Sequence, residues 1–259
     1  MEPVGWWHFA HSYVRGNWKR EIDDIGSLMA KSCHDLDLIK HFMGQRKCVK
    51  IQSFGSLVHF NEKNKPSEAA DRCLDCKIER QCPYSAVEQY VRQQGMVNAI
   101  TDIPDMENIT DALRTGPYGK CVYTSDNDVC DYQTVNMEFE GGKYATFVMS
   151  AFTKAVCVRQ ITIMGTKGQI EVNGGNVKLF DFVSQEETSI PHRRPDELTT
   201  MHGHGFADYY LMKAFVTGVA TGDRSLIQSG PDDSLRGHQV VFAAEKSRKQ
   251  GGVMMEIDI

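Results

Sequence analysis

The stretch VNMEFEGGKYATFVMSA, residues 135–151, decides the fold class of this chain. Apolar residues alternate with polar ones on both sides of the Gly141-Gly142 pair, at Val135, Met137 and Phe139 before it and at Ala145, Phe147, Met149 and Ala151 after it. Such a period of two predicts strands with one buried face, and a glycine pair is typical of the tight turn between antiparallel strands. The stretch therefore predicts a β-hairpin.

Working outward from this hairpin, the chain mixes short strands with amphipathic helices. Further period-two segments follow at 158–164, 170–172 and 177–179, and strands are also predicted at 49–60, with a bulge permitted at Gly55, and at 253–257. Helices are predicted at about 27–43, 85–94, 207–221 and 233–250. Apolar residues that recur every three or four positions are typical of such helices. The predicted fold class is α+β, a large and mostly antiparallel sheet with helices packed on one face. We expect a single domain over residues 1–259, with a Cys-rich insertion at about 61–84.

The amino-acid composition argues against two classes of partner, nucleic acids and membranes. The 259 residues are 41% hydrophobic and 24% charged with a net charge of -5, as in globular proteins with a sizeable core. Lys and Arg are dispersed and the balance is acidic, so we expect no nucleic-acid partner. No apolar run approaches the ~20 residues of a membrane span and no signal-peptide layout opens the sequence, so we expect a cytoplasmic protein without a membrane partner. Its eight cysteines are expected as reduced thiols.

The helix predicted at 27–43 carries a polar face opposite its apolar stripe, and this face includes Lys31 and His34. An imidazole can accept a proton at neutral pH, and a nearby carboxylate such as Asp37 can orient it. His34 and Asp37 are therefore candidate catalytic residues. The alternative is a solvent-facing histidine that forms an ion pair with Asp35 or Asp37.

Two other segments are candidates for substrate binding, and the first combines groups that suit a sugar, since hydroxyls need directional donors and acceptors while C–H faces stack on rings. In the first, residues 8–18, we predict His11, Tyr13 and Arg15 as substrate-binding residues, although an aromatic run is also typical of a core. In the second, residues 202–205, two histidines precede a predicted helix, and His204 is the candidate for contact with substrate. An ordinary loop and helix cap is the alternative there.

Cys73, Cys76 and Cys82 are spaced so that their thiolates could converge on a tetrahedral zinc ion. His59, at the end of the preceding predicted strand, is the candidate for the fourth ligand. A closed four-ligand site leaves no position for substrate, so this zinc site would be structural. The alternative is three thiols that bind no metal.

Four stretches together resemble one known family: HFAHSYVRG at 8–16, KSCHDLD at 31–37, IMGTKG at 163–168 and VFAAEKS at 241–247. The chain resembles, over nearly its whole length, the C-terminal substrate domain of the glucose-fructose oxidoreductase, inositol dehydrogenase and MocA (Gfo/Idh/MocA) family. In that family a preceding Rossmann domain binds NAD or NADP through a Gly-rich turn and supplies a catalytic lysine in a Glu-Lys-Pro motif. This sequence contains neither feature.

The resemblance implies a role for His34, which matches the histidine that assists removal of the substrate's hydroxyl proton. Many relatives carry an aspartate four residues earlier, where this chain has Ala30, and we expect Lys31 to contact the substrate instead. The implied function is the substrate-binding and catalytic-histidine half of an NAD(P)-dependent sugar or polyol oxidoreductase, inactive without the Rossmann domain and forming a homo-oligomer through its sheet face. The alternative is a stand-alone, non-catalytic carbohydrate-binding, oligomerisation or regulatory module.

Overall fold

The computed structural model describes residues 1–24, 26–44, 46–192, 194–195 and 199–257. The chain divides into two compact units. The larger unit contains Glu2–Cys157 and the residues from Gly237 onward, and the smaller unit contains Met1 and Val158–Arg236. None of the helices within the described ranges has the length and apolar character needed to cross a membrane.

The strands are β1 Glu2–Pro3, β2 Cys48–Ser56, β3 Tyr132–Phe139, β4 Lys143–Ser150, β5 Gln160–Met164, β6 Gly168–Asn173, β7 Asn176–Asp181, β8 Glu187–Ile190 and β9 Met255–Glu256. The α-helices are α1 Trp6–Phe9, α2 Glu21–Asp24, α3 Ser27–Met43, α4 Met106–Thr115, α5 Ala207–Thr221 and α6 Pro231–Lys249. Two π-helical segments occupy Ala10–Arg15 and Val87–Arg92. Short 3-10 turns occupy Glu62–Asn64, Cys73–Asp75, Glu79–Gln81, Val97–Ala99, Pro117–Gly119, Gly203–Phe206 and Arg224–Leu226.

The described strands form two sheets. In the larger unit the order is β1-β4-β3-β2-β9, with β1 parallel to β4 and the other pairs antiparallel. In the smaller unit β5-β6-β7-β8 is an antiparallel meander. The predicted α+β class is confirmed, but its strands are divided between two sheets. Strand β1 pairs with the end of β4, at Met149 and Ser150.

The predicted bulge also lies elsewhere. The register of β2 against β3 shifts between Cys48 and Lys50 rather than at Gly55. Gly55 has a different reason to lack a side chain, because a Cβ there would lie 2.9 Å from the carbonyl oxygen of Tyr132 on β3. The glycine therefore permits close approach of the two strands.

The core of the larger unit lies between its sheet and the helices α3 and α6. Buried members include Leu28 and Leu36 of α3, Val135 and Met137 of β3, and Val241 of α6. The two helices approach closely, since a Cβ at Gly237 would lie 2.9 Å from Asp37 Oδ1. A second, smaller core lies under the Cys-rich insertion and contains Cys73, Ala86, Tyr90, Ile109 and Leu113.

Helix α3, which carries the predicted catalytic histidine, has the predicted bounds. Glycines in positive-φ conformations flank it, Gly26 at φ 90° and Gly44 at φ 70°, and such conformations suit residues without a Cβ. Ser27 does not cap the helix, because its hydroxyl donates to the carbonyl oxygen of Cys130 at 2.8 Å. This bond ties the start of α3 to the segment leading into β3.

The chain leaves the sheet after β2 because a buried carboxylate binds its backbone. Asp131 is fully buried and accepts the N–H groups of Val58, His59 and Phe60 at 2.9, 2.8 and 3.3 Å. These N–H groups are thus not available to a sheet ladder. The strand predicted to reach Phe60 therefore ends at Ser56.

Candidate active site

Lys31 and His34 lie three residues apart on α3, a spacing that makes them neighbours on one helix face. The Lys31 ammonium lies 3.3 Å from Glu2 Oε1 and donates to Cys157 Sγ at 3.1 Å. The Glu2 side chain is 1% exposed and that of Lys31 is 13% exposed. Strand β1, helix α3 and the loop after β4 therefore meet at this ammonium group.

The surroundings of Lys31 keep it charged. Burial acts to lower the pKa of the amine, but the hydrogen bond with Cys157 and the charge of Glu2 more than offset it, so the pKa lies above its usual value. An ion pair this enclosed is screened less by water than one on the surface. The site therefore contains a fixed positive charge at neutral pH.

His8 lies beside the same thiol, with its Nδ1 atom 3.8 Å from Cys157 Sγ. Burial and the charge of Lys31 lower the pKa of His8 to about 4, so its imidazole is neutral at pH 7. The ring packs edge-to-face against Tyr13. Burial raises the pKa of Tyr13, and the nearby Cys157 and Glu2 raise it further, so its hydroxyl keeps its proton.

The backbone of Cys157 is strained at this point. Its φ is +55°, a left-handed conformation that residues with a Cβ rarely adopt. The backbone N–H donates to the Pro3 carbonyl oxygen at 2.7 Å, which holds the thiol against the end of β1. Strain of this kind is concentrated at functional sites, where surrounding contacts fix it.

His34 faces solvent at the edge of this group. Its side chain is half exposed, and its Nε2 atom lies 3.4 Å from Oδ2 of the buried Asp35. Asp37, predicted to orient the imidazole, has its Oδ1 atom 3.4 Å from the Lys40 ammonium. The structure thus places Asp35 in an orienting position, and the catalytic role of Asp37 stays a prediction.

This arrangement combines an accessible imidazole with a fixed ammonium on one helix face. The imidazole can accept a proton from a bound hydroxyl. The ammonium can donate a hydrogen bond to the same or a neighbouring oxygen and stabilise negative charge that develops on it. The chemistry available is proton removal from an alcohol or polyol.

Two of the predicted substrate-binding residues lie inside the protein. His11 is 4% exposed, its Nδ1 atom lies 2.6 Å from the Tyr90 hydroxyl, and its ring stacks on Tyr118. Arg15 is 1% exposed and donates to the carbonyl oxygens of Lys120 and Tyr84, both at 2.8 Å. Protein groups thus engage both side chains, and their contact with substrate stays a prediction.

Tyr13 and His204, two more of the predicted substrate-binding residues, lie in different units. Tyr13 is 2% exposed and belongs to the group around Cys157. His204 lies in the smaller unit, largely exposed, with its Nδ1 atom 2.9 Å from Asp208 Oδ1 and its backbone at φ +49°. Their substrate contacts also stay predictions.

The predicted zinc ligands are partly brought together. Cys73, Cys76 and Cys82 line one cavity of about 210 Å³ in the larger unit. His59 is not among its lining residues, because the ring packs against Phe60, Tyr84 and Phe152 and its Nε2 atom lies 3.3 Å from the Tyr123 hydroxyl. Within the described ranges, no three His, Cys, Asp or Glu side chains already surround an ion-sized point.

A family model described as "Oxidoreductase family, C-terminal alpha/beta domain" matches residues 5–257. The chain belongs to the Gfo/Idh/MocA oxidoreductase family. No curated protein matches the sequence.

Solved structures of oxidoreductases share the Gfo/Idh/MocA fold of this chain. An oxidoreductase domain protein from Kribbella flavida has a TM-score of 0.54 and 15% identity, covering 94% of this chain and 55% of that one. An inositol dehydrogenase homolog from Azotobacter vinelandii, complexed with NAD+, has a TM-score of 0.52 and 12% identity, covering 99% and 56%. An oxidoreductase from Pseudomonas syringae has a TM-score of 0.51 and 12% identity, covering 99% and 55%. The chain therefore spans about half the length of these proteins.

Sequence reasoning missed three residues of this Gfo/Idh/MocA domain's candidate site: Glu2, His8 and Cys157. Glu2 and Cys157 lie 3.3 and 3.1 Å from the Lys31 ammonium but far from it in the chain. No motif surrounds Cys157, and an acid next to a proline gives no local signal of burial. The aromatic segment around His8 was the one feature that could have pointed to this part of the site.

The positive charge of Lys31 gives a testable effect on His8. In a Lys31→Met variant the pKa of His8 is expected to rise from about 4 towards 6.5, because the repulsion that disfavours the imidazolium is removed while burial remains. An NMR titration of the His8 ring measures this pKa. An unchanged or lower pKa in a folded variant would show that Lys31 does not act on His8.

Proposed function

We propose that this domain is the substrate-binding half of an NAD(P)-dependent oxidoreductase that oxidises a hydroxyl group of a sugar or polyol. The observation that carries the proposal is the pair on α3, a half-exposed His34 beside the fixed ammonium of Lys31. Membership of an oxidoreductase family supports it. A similar fold in a homolog of inositol dehydrogenase is consistent with a polyol substrate.

In the proposed reaction His34 removes the hydroxyl proton. Asp35, whose Oδ2 atom lies 3.4 Å from His34 Nε2, would hold the imidazole in place for this step. NAD(P)+, when bound, supplies the acceptor for the hydride that leaves the carbon. The alcohol carbon becomes a carbonyl, and the imidazole carries the released proton.

Lys31 has the second role in the proposal. As the hydroxyl proton leaves, negative charge develops on the substrate oxygen, and a fixed ammonium nearby lowers the energy of that state. Glu2 and Cys157 hold the ammonium in place, so little reorganisation is needed during the reaction. Lys31 would thus stabilise the oxygen while His34 takes the proton.

The donor set fits a nicotinamide cofactor, since this site pairs a proton acceptor with a stabilising cation and still requires a hydride acceptor. The solved relatives are about twice as long as this chain. We propose that the cofactor is bound by a dinucleotide-binding domain like theirs, and that this domain alone is inactive. Assembly into a homo-oligomer through a sheet face is part of the same proposal.

The proposal is tested with protein isolated from its natural source, so that any part of the protein outside this sequence is included. We expect a panel of sugars and polyols to contain at least one that reduces NAD+ or NADP+, measured by the absorbance of the reduced nicotinamide. Sugar binding by NMR without reduction of either cofactor would contradict the enzymatic function and favour a non-catalytic carbohydrate-binding module.

A further inference from the structure

Four cysteines line the cavity of about 210 Å³ in the larger unit: Cys73, Cys76, Cys82 and Cys121. All four are free thiols. The first three belong to the Cys-rich insertion, and Cys121 comes from a separate segment that precedes β3. The insertion is joined to this segment by a backbone hydrogen bond from Cys121 N to Asp71 O at 2.8 Å. The fourth thiol is therefore brought to the cavity by tertiary structure.

Each of these cysteines begins a tight backbone turn. The carbonyl oxygens of Cys73, Cys76, Cys82 and Cys121 accept N–H groups three residues later, at 3.3, 3.2, 3.2 and 3.2 Å. Cys76 and Cys82 also have nearly the same backbone angles, φ −84° with ψ 121° and φ −83° with ψ 119°. The same turn hydrogen bond at four cysteines around one cavity indicates a common purpose.

Backbone N–H groups are directed at two of the four sulfur atoms. The N–H groups of Tyr84 and Tyr123, each two residues later in the chain, form hydrogen bonds with the sulfur atoms of Cys82 and Cys121. Donors of this kind stabilise sulfur that carries negative charge. Similar outer hydrogen bonds orient the ligands of metal sites.

A buried cation completes the cavity. Arg15 is 1% exposed, lines the cavity, and its Nη2 atom lies 3.4 Å from Cys73 Sγ. Its Nη1 atom is buried and has no hydrogen-bond partner in the described part of the chain. A buried guanidinium with an unused donor requires a negatively charged partner. Four thiolates around a divalent cation carry a net charge of −2, and Arg15 would offset part of it.

We propose that Cys73, Cys76, Cys82 and Cys121 bind one zinc ion, with Arg15 as the neighbouring counter-charge. On binding, four thiols lose their protons and form four Zn–S bonds, and the net reaction releases four protons without any redox change. The four thiols line the cavity, and binding would require rotation about their Cα–Cβ bonds towards its centre. This inference does not depend on the proposed oxidoreductase function.

The consequence of the zinc site would be structural. It would join the Cys-rich insertion to the segment at Cys121 and cover the smaller core that contains Cys73. A four-thiolate zinc site has no open coordination position, so no substrate would bind there. Loss of the ion should therefore weaken the insertion before it affects the sheet.

The experiment compares the intact protein after chelation with the same protein given Zn²⁺ alone. We expect one zinc ion per chain by elemental analysis, a higher melting temperature with zinc, and protection of the four thiols from alkylation. Substituting Co²⁺ should produce the intense sulfur-to-cobalt absorption of a four-thiolate site. Because these measurements use the unaltered protein, they do not depend on whether a cysteine variant folds.

Two variants identify the fourth ligand. Cys121→Ser should lose stoichiometric zinc, whereas His59→Gln, at the histidine predicted from sequence, should retain it. Cys48→Ser removes a buried thiol of β2 that does not line the cavity and should also retain zinc. Zinc lost in His59→Gln but retained in Cys121→Ser would overturn the assignment. Protein that binds no zinc, or that contains iron with a visible iron–sulfur spectrum, would overturn the zinc site itself.

Discussion

In the proposed reaction, replacing His34 by asparagine is expected to lower the turnover number of the intact protein by roughly 10²–10⁴-fold, the usual contribution of a general base. Asparagine keeps a polar side chain at the half-exposed position but cannot accept the substrate proton. Its effect on folding should be small, because substitutions at exposed positions usually change stability by about 0.5 kcal/mol or less. Turnover should therefore fall while the melting temperature stays nearly unchanged.

The matched control is His41→Asn, which changes an exposed histidine seven residues along the same helix. It should leave turnover unchanged. Steady-state kinetics on the intact protein measure both variants. Equal turnover for His34→Asn and the unaltered enzyme would remove His34 from the proton-transfer step and leave the proposed reaction without its base.

Acid is expected to destabilise the larger unit through His11. Burial, with smaller contributions from the charges of His8 and Arg15, lowers the pKa of His11 to about 4, against 6.5 for an unperturbed histidine. Between these two pH values the unfolded chain binds a proton at His11 and the folded protein does not. The free energy of unfolding is therefore complete above about pH 6.5 and declines as the pH falls towards 4.

The size of this effect follows from the shift in pKa. The shift corresponds to about 3 kcal/mol of unfolding free energy lost on acidification, since one pKa unit is worth about 1.4 kcal/mol. His8, whose pKa is also lowered to about 4, adds a loss in the same direction and over the same range. The larger unit should thus lose a substantial part of its stability well above the pH at which carboxylates are protonated.

Urea denaturation at several pH values between 4 and 7 measures the effect. His11→Gln keeps a group that can hydrogen-bond the Tyr90 hydroxyl but cannot be protonated, so its pH dependence should be weaker than that of the unaltered protein by the His11 contribution. His41→Gln, at an exposed position, should retain the full dependence. If His11→Gln lost as much stability in acid as the unaltered protein, the imidazole would not be neutral in the folded state.

Some residues of the candidate site could be predicted from the sequence, and others could not. The sequence pointed to helix α3, where Lys31 and His34 lie three residues apart, with His34 half exposed and Lys31 enclosed beside Glu2. The partners of Lys31 could not be predicted, because Glu2 and Cys157 reach it from β1 and from a loop with no periodic pattern. His11 and Arg15, polar groups in an aromatic segment, look the same in sequence whether they face a ligand or the interior.

The cysteines of the proposed zinc site were also only partly predictable from the sequence. The spacing of Cys73, Cys76 and Cys82 was visible as a candidate metal site, and the structure places all three on one cavity. The fourth thiol at that cavity, Cys121, has no nearby cysteine to mark it. His59 was favoured because it is near in sequence, yet the backbone after β2, fixed by Asp131, turns its ring into an aromatic cluster.

The sequence alone determined the features that are encoded by residues close together in the chain. These are the hairpin at 135–151, the bounds of α3, the α+β class and the resemblance to the Gfo/Idh/MocA family. Period and turn residues act over one or two turns of backbone, so they are readable locally. Only the tertiary structure decided the division of the strands into two sheets, the burial of His11 and Arg15, and the meeting of Glu2, Lys31 and Cys157. These depend on which distant segments pack together, and burial and electrostatic pairing are properties of that packing rather than of any short stretch of sequence.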